Sequence, residues 1–248
     1  MATTPVPAAE PRAAISPLGR IVGVLFSPKA TFEDIVRKPS WLLPMAIMAV
    51  LGVLAAVSLN QRMNWREYVS QQIEKSPRAS QLSAEQKQQQ IETGAKIAPI
   101  STYISVPLVP IIGLLVVTLV MWGSYNLLGG ANTDFKTSLG IVSHAFVPSY
   151  INSLLFLLVI FLKPMGTVDL QNPVATNVAA FLPDDVPKWL DVLCKNVDVF
   201  VIWYLLLIAI GFAATNPKKL KGGKSLTIAV SVMAVYLVLR LGIAFIFS

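Results

Sequence analysis

The sequence predicts an all-α fold: a polytopic membrane protein with five transmembrane helices behind an amphipathic N-terminal interfacial segment. Three observations predict it. Of the 248 residues, 54% are hydrophobic and only 13% are charged, against roughly 25% charged in a soluble domain. The mean hydropathy is +0.64. The apolar residues fall in long continuous runs rather than in the alternation of a half-buried strand. Only helices and closed barrels satisfy their backbone polar groups inside a bilayer, so these runs read as spanning helices.

Residues 1–15 are Ala- and Pro-rich and lack an apolar core. They read as a disordered tail rather than a secretory signal, leaving 16–248 as the membrane domain. Residues 17–38 are too charged to span. Ile21, Val22, Leu25 and Phe26, then Phe32, Ile35 and Val36, recur at helical spacing. Ser27 and Pro28 look like an N-cap followed by proline at the first helical position. Two short amphipathic helices fit, either lying on the membrane surface or packed against the ends of the bundle.

The first span is expected over 41–59, where Gly52 and Ala56 form a small-xxx-small pair that admits a close helix neighbour. Residues 60–98 are polar. Trp65, Tyr68, Val69 and Ile73 suit an amphipathic turn, and Ser83 with Gln86 suits a capping box. A solvated helical hairpin is the plainer reading of this loop; a docking surface is the other.

The second span covers 99–128, with Pro99, Pro107 and Pro110 predicting a kinked first half. Gly129-Gly130 turns the chain, so spans two and three are antiparallel neighbours. Asn132 or Thr133 can cap a helix starting at Asp134. The third span runs over 139–162, the fourth over 197–214 with Asp198 at its mouth, and the fifth over 226–247. The 163–196 loop contains a short interfacial helix after Pro187.

Charge sets the orientation. The 215–225 loop carries four lysines and no acid, and basic short loops favour the cytoplasm. That places the N-terminus, the 123–138 turn and 215–225 inside, and 60–98, 163–196 and the C-terminus outside.

Few residues suggest chemistry. Arg240 lies within the fifth span, where an unpaired arginine costs at least about 2.5 kcal/mol. It either snorkels to the headgroups or faces the bundle and holds Asp198 or an anionic ligand. His144 lacks an acid on spans two and three, so a hydrogen bond within the bundle is favoured over a proton relay. Asn152 shares nearly the same helical face. Arg240, Asp198, His144 and Asn152 are thus the candidate intramembrane polar cluster.

No HExxH, GxSxG or GxxxxGK sequence occurs. One histidine and one cysteine leave no His- or Cys-based metal centre. No enzyme activity, cofactor, metal or nucleic-acid binding is expected.

The lead-in FSPKATFEDIVRKP, with Phe26, Pro28 and Phe32, resembles the segment before the first span in bacterial members of the Yip family. These are the Ypt/Rab-GTPase-interacting integral membrane proteins. Gly129, Gly130, Phe135, Gly140, Ala145 and Pro148 resemble that family's central hairpin, and GFAATNPKK resembles the end of its fourth span. The likeness covers residues 17–248. It implies a five-helix bundle in the bacterial cytoplasmic membrane, with the N-terminus cytoplasmic.

Eukaryotic relatives act in vesicle trafficking and engage prenylated GTPases through a DLYGP-type motif. That motif is absent here, so no Rab-type GTPase is expected. The function implied is a non-catalytic scaffold or membrane-organisation factor. It would act through lipid, other membrane proteins or further copies of itself. The alternative is a small transporter or channel using spans two and three and Arg240.

Overall fold

The computed structural model describes residues 14–76, 78–165, 168–170, 172–183, 186–221 and 223–246. All but the last two residues of the expected disordered tail lie outside them. Among the described residues the architecture is helical: α1 Pro17–Phe26, α2 Pro28–Arg37, α3 Leu42–Arg62, α4 Trp65–Glu74, α5 Ala84–Ser124, α6 Phe135–Ala145, α7 Pro148–Leu162, α8 Lys188–Asn196, α9 Val199–Thr215 and α10 Lys224–Ile246. The helices α3, α5 and α10 are long and apolar enough to cross a membrane. The pair α6–α7, bent by 42°, makes a fourth candidate if taken as one span. At 17 residues, α9 is shorter.

The expected helix beginning near Ser83 and the expected second span are one element. Ser83 and Gln86 form the reciprocal capping box. From there α5 runs for 41 residues, about 60 Å, uninterrupted by Pro99, Pro107 and Pro110. A single-turn π-helix, Tyr125–Gly129, closes it.

The break in helical bonding falls instead in the third segment, between Ala145 and Pro148. Pro148 has no N–H to return to the His144 carbonyl. The carbonyl is taken by Val147 N–H at 3.1 Å, and Ser149 N–H reaches back to Phe146 at 2.9 Å. These tighter bonds satisfy the backbone while changing the helix direction.

Two ends of the bundle are distinguishable. At one, Asn216 Nδ2 donates to the Gly130 carbonyl at 2.9 Å. The Tyr125 hydroxyl donates to the Ser225 carbonyl at 2.6 Å, and Gly140 leaves room for the Ser40 carbonyl. At the other, Asn60 Nδ2 donates to the Pro99 carbonyl and Arg62 to the Lys163 carbonyl, each at 3.4 Å. Helix α9 finishes at the first end, at Asn216, and starts at Asp198 beside Ser149 and Asn152 of α7.

The amphipathic lead-in is not confined to a surface. Val24, Phe32 and Ile35 are fully buried with Ile141, Ile208 and Phe212 in the core. Gly211 lets α9 close on Ile141 and on the Phe32 ring, where any side chain would collide. The outer face of α1 keeps Leu18, Val22 and Phe26 exposed. One face is therefore core, as the packed alternative expects, and the other is an uncovered apolar stripe.

Gly52 fulfils its expected role. A Cβ there would stand 2.6 Å from Pro107 Cα, so α3 and α5 meet backbone to backbone, with Ala56 buried one turn away.

Candidate functional site

A polar cavity of about 270 Å³ lies between α7 and α9, beneath the 172–177 segment. Serine and asparagine on α7, at Ser149 and Asn152, line one wall. Asn172 and Asn177 face them, joined by reciprocal amide hydrogen bonds of 2.6 and 3.3 Å. Phe200, Val201 and Tyr204 on α9 complete it, with Lys195 at the end of α8.

Asp198 builds the cavity's edge by capping α9. Its Oδ1 accepts from Phe200 N–H at 2.7 Å and Val201 N–H at 3.3 Å, while Oδ2 accepts from the Thr176 hydroxyl. An aspartate at a helix N-terminus satisfies free backbone donors and complements the helix dipole. An isolated antiparallel bridge between Asn177 and Asp198 ties the loop back to the helix.

The four residues of the expected polar cluster occupy three separate settings. Asn152 and Asp198 border the cavity. His144 is buried at the α6–α7 bend, its Nδ1 2.8 Å from the Gly140 carbonyl. Because a carbonyl can only accept, this contact assigns the proton to Nδ1. It is the intra-bundle hydrogen bond favoured from the sequence.

Arg240 is exposed on α10. It donates to the Tyr236 hydroxyl at 3.2 Å and lies over that ring at 5.9 Å. No ion pair joins it to Asp198 among the described residues; the Asp198 carboxylate instead caps α9 and accepts from Thr176.

The hairpin residues act on the backbone. Gly130 adopts φ +62°, a left-handed conformation that glycine takes without penalty. Gly129 leaves room for Leu220 and Ile228. Asp134, not Asn132 or Thr133, caps the next helix, accepting from Thr137 N–H at 2.7 Å. Hydrogen bonds from Thr137 hold its carboxyl below the usual carboxylate range. Phe135 opens α6 edge-on to Trp122, 6.1 Å between ring centres. Pro28 does open α2, but the Ser27 side chain makes no capping bond.

One constellation escaped the sequence reading. Arg20 and Asp34 form a buried ion pair, Nη2 to Oδ2 at 2.8 Å, each side chain 5% exposed. Arg20 also donates from Nη1 to the Lys38 carbonyl at 2.9 Å and to Ser40 Oγ at 2.7 Å. One guanidinium thereby fastens α1, the C-terminus of α2 and the approach to α3. The available signal was Arg20 standing four residues before Val24, on the inward face of an amphipathic helix.

A family model described as the Yip1 domain matches residues 22–242. The chain belongs to the Yip1 domain family. The match begins inside α1 and ends inside α10, so it takes in Asp34, the hairpin and the cavity, while Arg20 lies just before it. The Yip1-family chain is also 28% identical to "Membrane protein YknW" of Bacillus subtilis (strain 168) over 205 residues, 82% of this chain and 81% of the relative. No solved structure matches it. It is an integral membrane protein in contact with the lipid bilayer.

Proposed function

We propose that this Yip1-family protein is a non-catalytic membrane scaffold that crosses the bilayer five times and presents a folded helical arm to partners outside. One observation carries the reading. Helix α4 is packed along the polar beginning of α5, so the 60–98 region is an ordered arm rather than a slack loop. Gly94 admits Val69 into the interface. Arg66 approaches Glu92 at 4.0 Å, and Trp65 meets Tyr68 edge to face at 6.0 Å. Ordering such a segment costs conformational entropy, and what it yields is a rigid surface bearing exposed glutamines such as Gln72 and Gln89.

Five crossings are supported by the two ends. Helix α3, the apolar part of α5 and the α6–α7 pair each join one end to the other, α10 is long and apolar enough to cross, and the 17 residues of α9 meet the lower limit of roughly 17–25 for a span. The basic 215–225 loop supports a cytoplasmic placement for the end that holds α1 and α2, in a bacterial cytoplasmic membrane. The transport reading draws on the α6–α7 bend beside a polar cavity.

Photo-crosslinking separates the two. A probe at Gln89 is expected to give a discrete, near-stoichiometric protein adduct in native membranes, while a probe at lipid-facing Val235 gives none. Failure of the Gln89 adduct, together with saturable solute flux in liposomes, would overturn the scaffold in favour of transport.

A further inference from the structure

The cavity between α7 and α9 holds polar groups that the fold does not use. Asn152 is half-buried on an apolar helix, borders the cavity, and has no hydrogen-bond partner among the described residues. A primary amide in a membrane helix is costly unless something satisfies it. Ser149 stands one turn away on the same wall. The hydroxyl of Tyr204 makes only a long contact, 3.8 Å, with Met233 sulfur.

The charged groups of the lining are already committed. Asp198 caps α9 and accepts from Thr176. Lys195 is neutralised by Asp191 at 2.9 Å. What remains free is uncharged and both donates and accepts: amide and hydroxyl groups. The Tyr204 ring also lines the cavity, held in place by its stack on Phe146 at 4.8 Å.

We propose that this cavity binds a neutral polyhydroxylated group, either a free sugar or the sugar headgroup of a membrane lipid. The volume, about 270 Å³, lies just below the roughly 300–1,000 Å³ seen for drug-sized ligands, which limits the occupant to about a single sugar unit. The lipid source is open to it because both flanking helices are apolar on their outer faces. Leu154 and Leu158 on α7, and Ile202 and Leu206 on α9, are exposed and offer a bed for acyl chains.

The test uses the full chain, purified in a zwitterionic detergent that carries no sugar. Retention in native mass spectrometry and thermal stabilisation are measured with glucosyl diacylglycerol, with glucose, and with phosphatidylcholine as the lipid lacking a polyol. Binding of the glycolipid alone identifies a lipid headgroup, and binding of glucose identifies a soluble source; either supports the site. Asn152→Leu is expected to weaken that binding about tenfold, the effect of losing one or two hydrogen bonds. Should that variant not fold, Tyr204→Phe keeps the ring stack and removes only the hydroxyl. The proposal is overturned if neither sugar form binds, if phosphatidylcholine binds equally well, or if binding survives the folded variants unchanged.

Discussion

Replacing Asp34 by alanine is expected to destabilise the protein by about 3–5 kcal/mol, the cost of leaving one member of a buried ion pair uncompensated. The stranded group is Arg20, 4% exposed, which cannot reach water without withdrawing from Lys38 and Ser40. Arg37 also loses its partner, at 3.3 Å, but it is half exposed and contributes little. The loss should be read as unfolding in detergent or as lowered abundance in the membrane.

The double variant Arg20→Leu with Asp34→Leu separates charge from packing. Apolar replacement of a buried pair is often neutral or stabilising. Recovery of most of the stability would show that the single variant suffers from the unpaired charge. A double variant as unstable as Asp34→Ala would show that the three-way anchorage of α1, α2 and α3 is what matters.

The second large effect is expected at Tyr125. Tyr125→Ala should cost about 3–5 kcal/mol, as for other buried aromatic truncations. Its ring lies fully buried and parallel to Phe212, 4.0 Å between centres. Its hydroxyl donates to the Ser225 carbonyl at 2.6 Å, and the Ser225 Oγ separately donates to the Ala209 carbonyl at 2.6 Å. Tyr125→Phe keeps the stack and leaves the Ser225 carbonyl without its donor, so a smaller loss of about 1–3 kcal/mol is expected. Equal losses in the two variants would contradict the weight given to the stack.

Much of the architecture was legible because it depends on local chemistry. The Gly129-Gly130 turn, the Ser83–Gln86 box and the approach of α5 to Gly52 each follow from residue type at fixed spacing. The break in the third segment was not legible: Pro148 looks no more disruptive than the three prolines of α5. What distinguishes it is the tighter hydrogen bonding around Phe146 and Val147, which only the folded chain provides.

The candidate site was legible in its parts and not in its assembly. Asn152 and Asp198 stood out as polar residues in apolar runs. Their meeting depends on the 172–177 segment folding back through the Asn177–Asp198 bridge, a long-range pairing without periodicity. Arg240 stood out for the same reason as Asn152, but a helical wheel alone does not say which face of α10 the bundle uses. Asp34, among the charges of 29–38, offered no contrast, and the signal for Arg20 was only its spacing from Val24 on an amphipathic helix.

The measurement that most directly tests the five-crossing account is side-specific thiol labelling. Cys194 is the natural thiol but is buried, so labelling it in intact cells would confuse burial with sidedness. Removing it as Cys194→Ser leaves a protein without cysteine, into which Gln89→Cys or Lys218→Cys is introduced, both at exposed positions. With α5, α6–α7 and α9 all crossing, the two thiols lie on opposite faces: an impermeant maleimide labels Gln89→Cys in intact cells and Lys218→Cys only after permeabilisation. Labelling of both from the same side would mean that α9 or the bent pair does not cross, and would contradict the account.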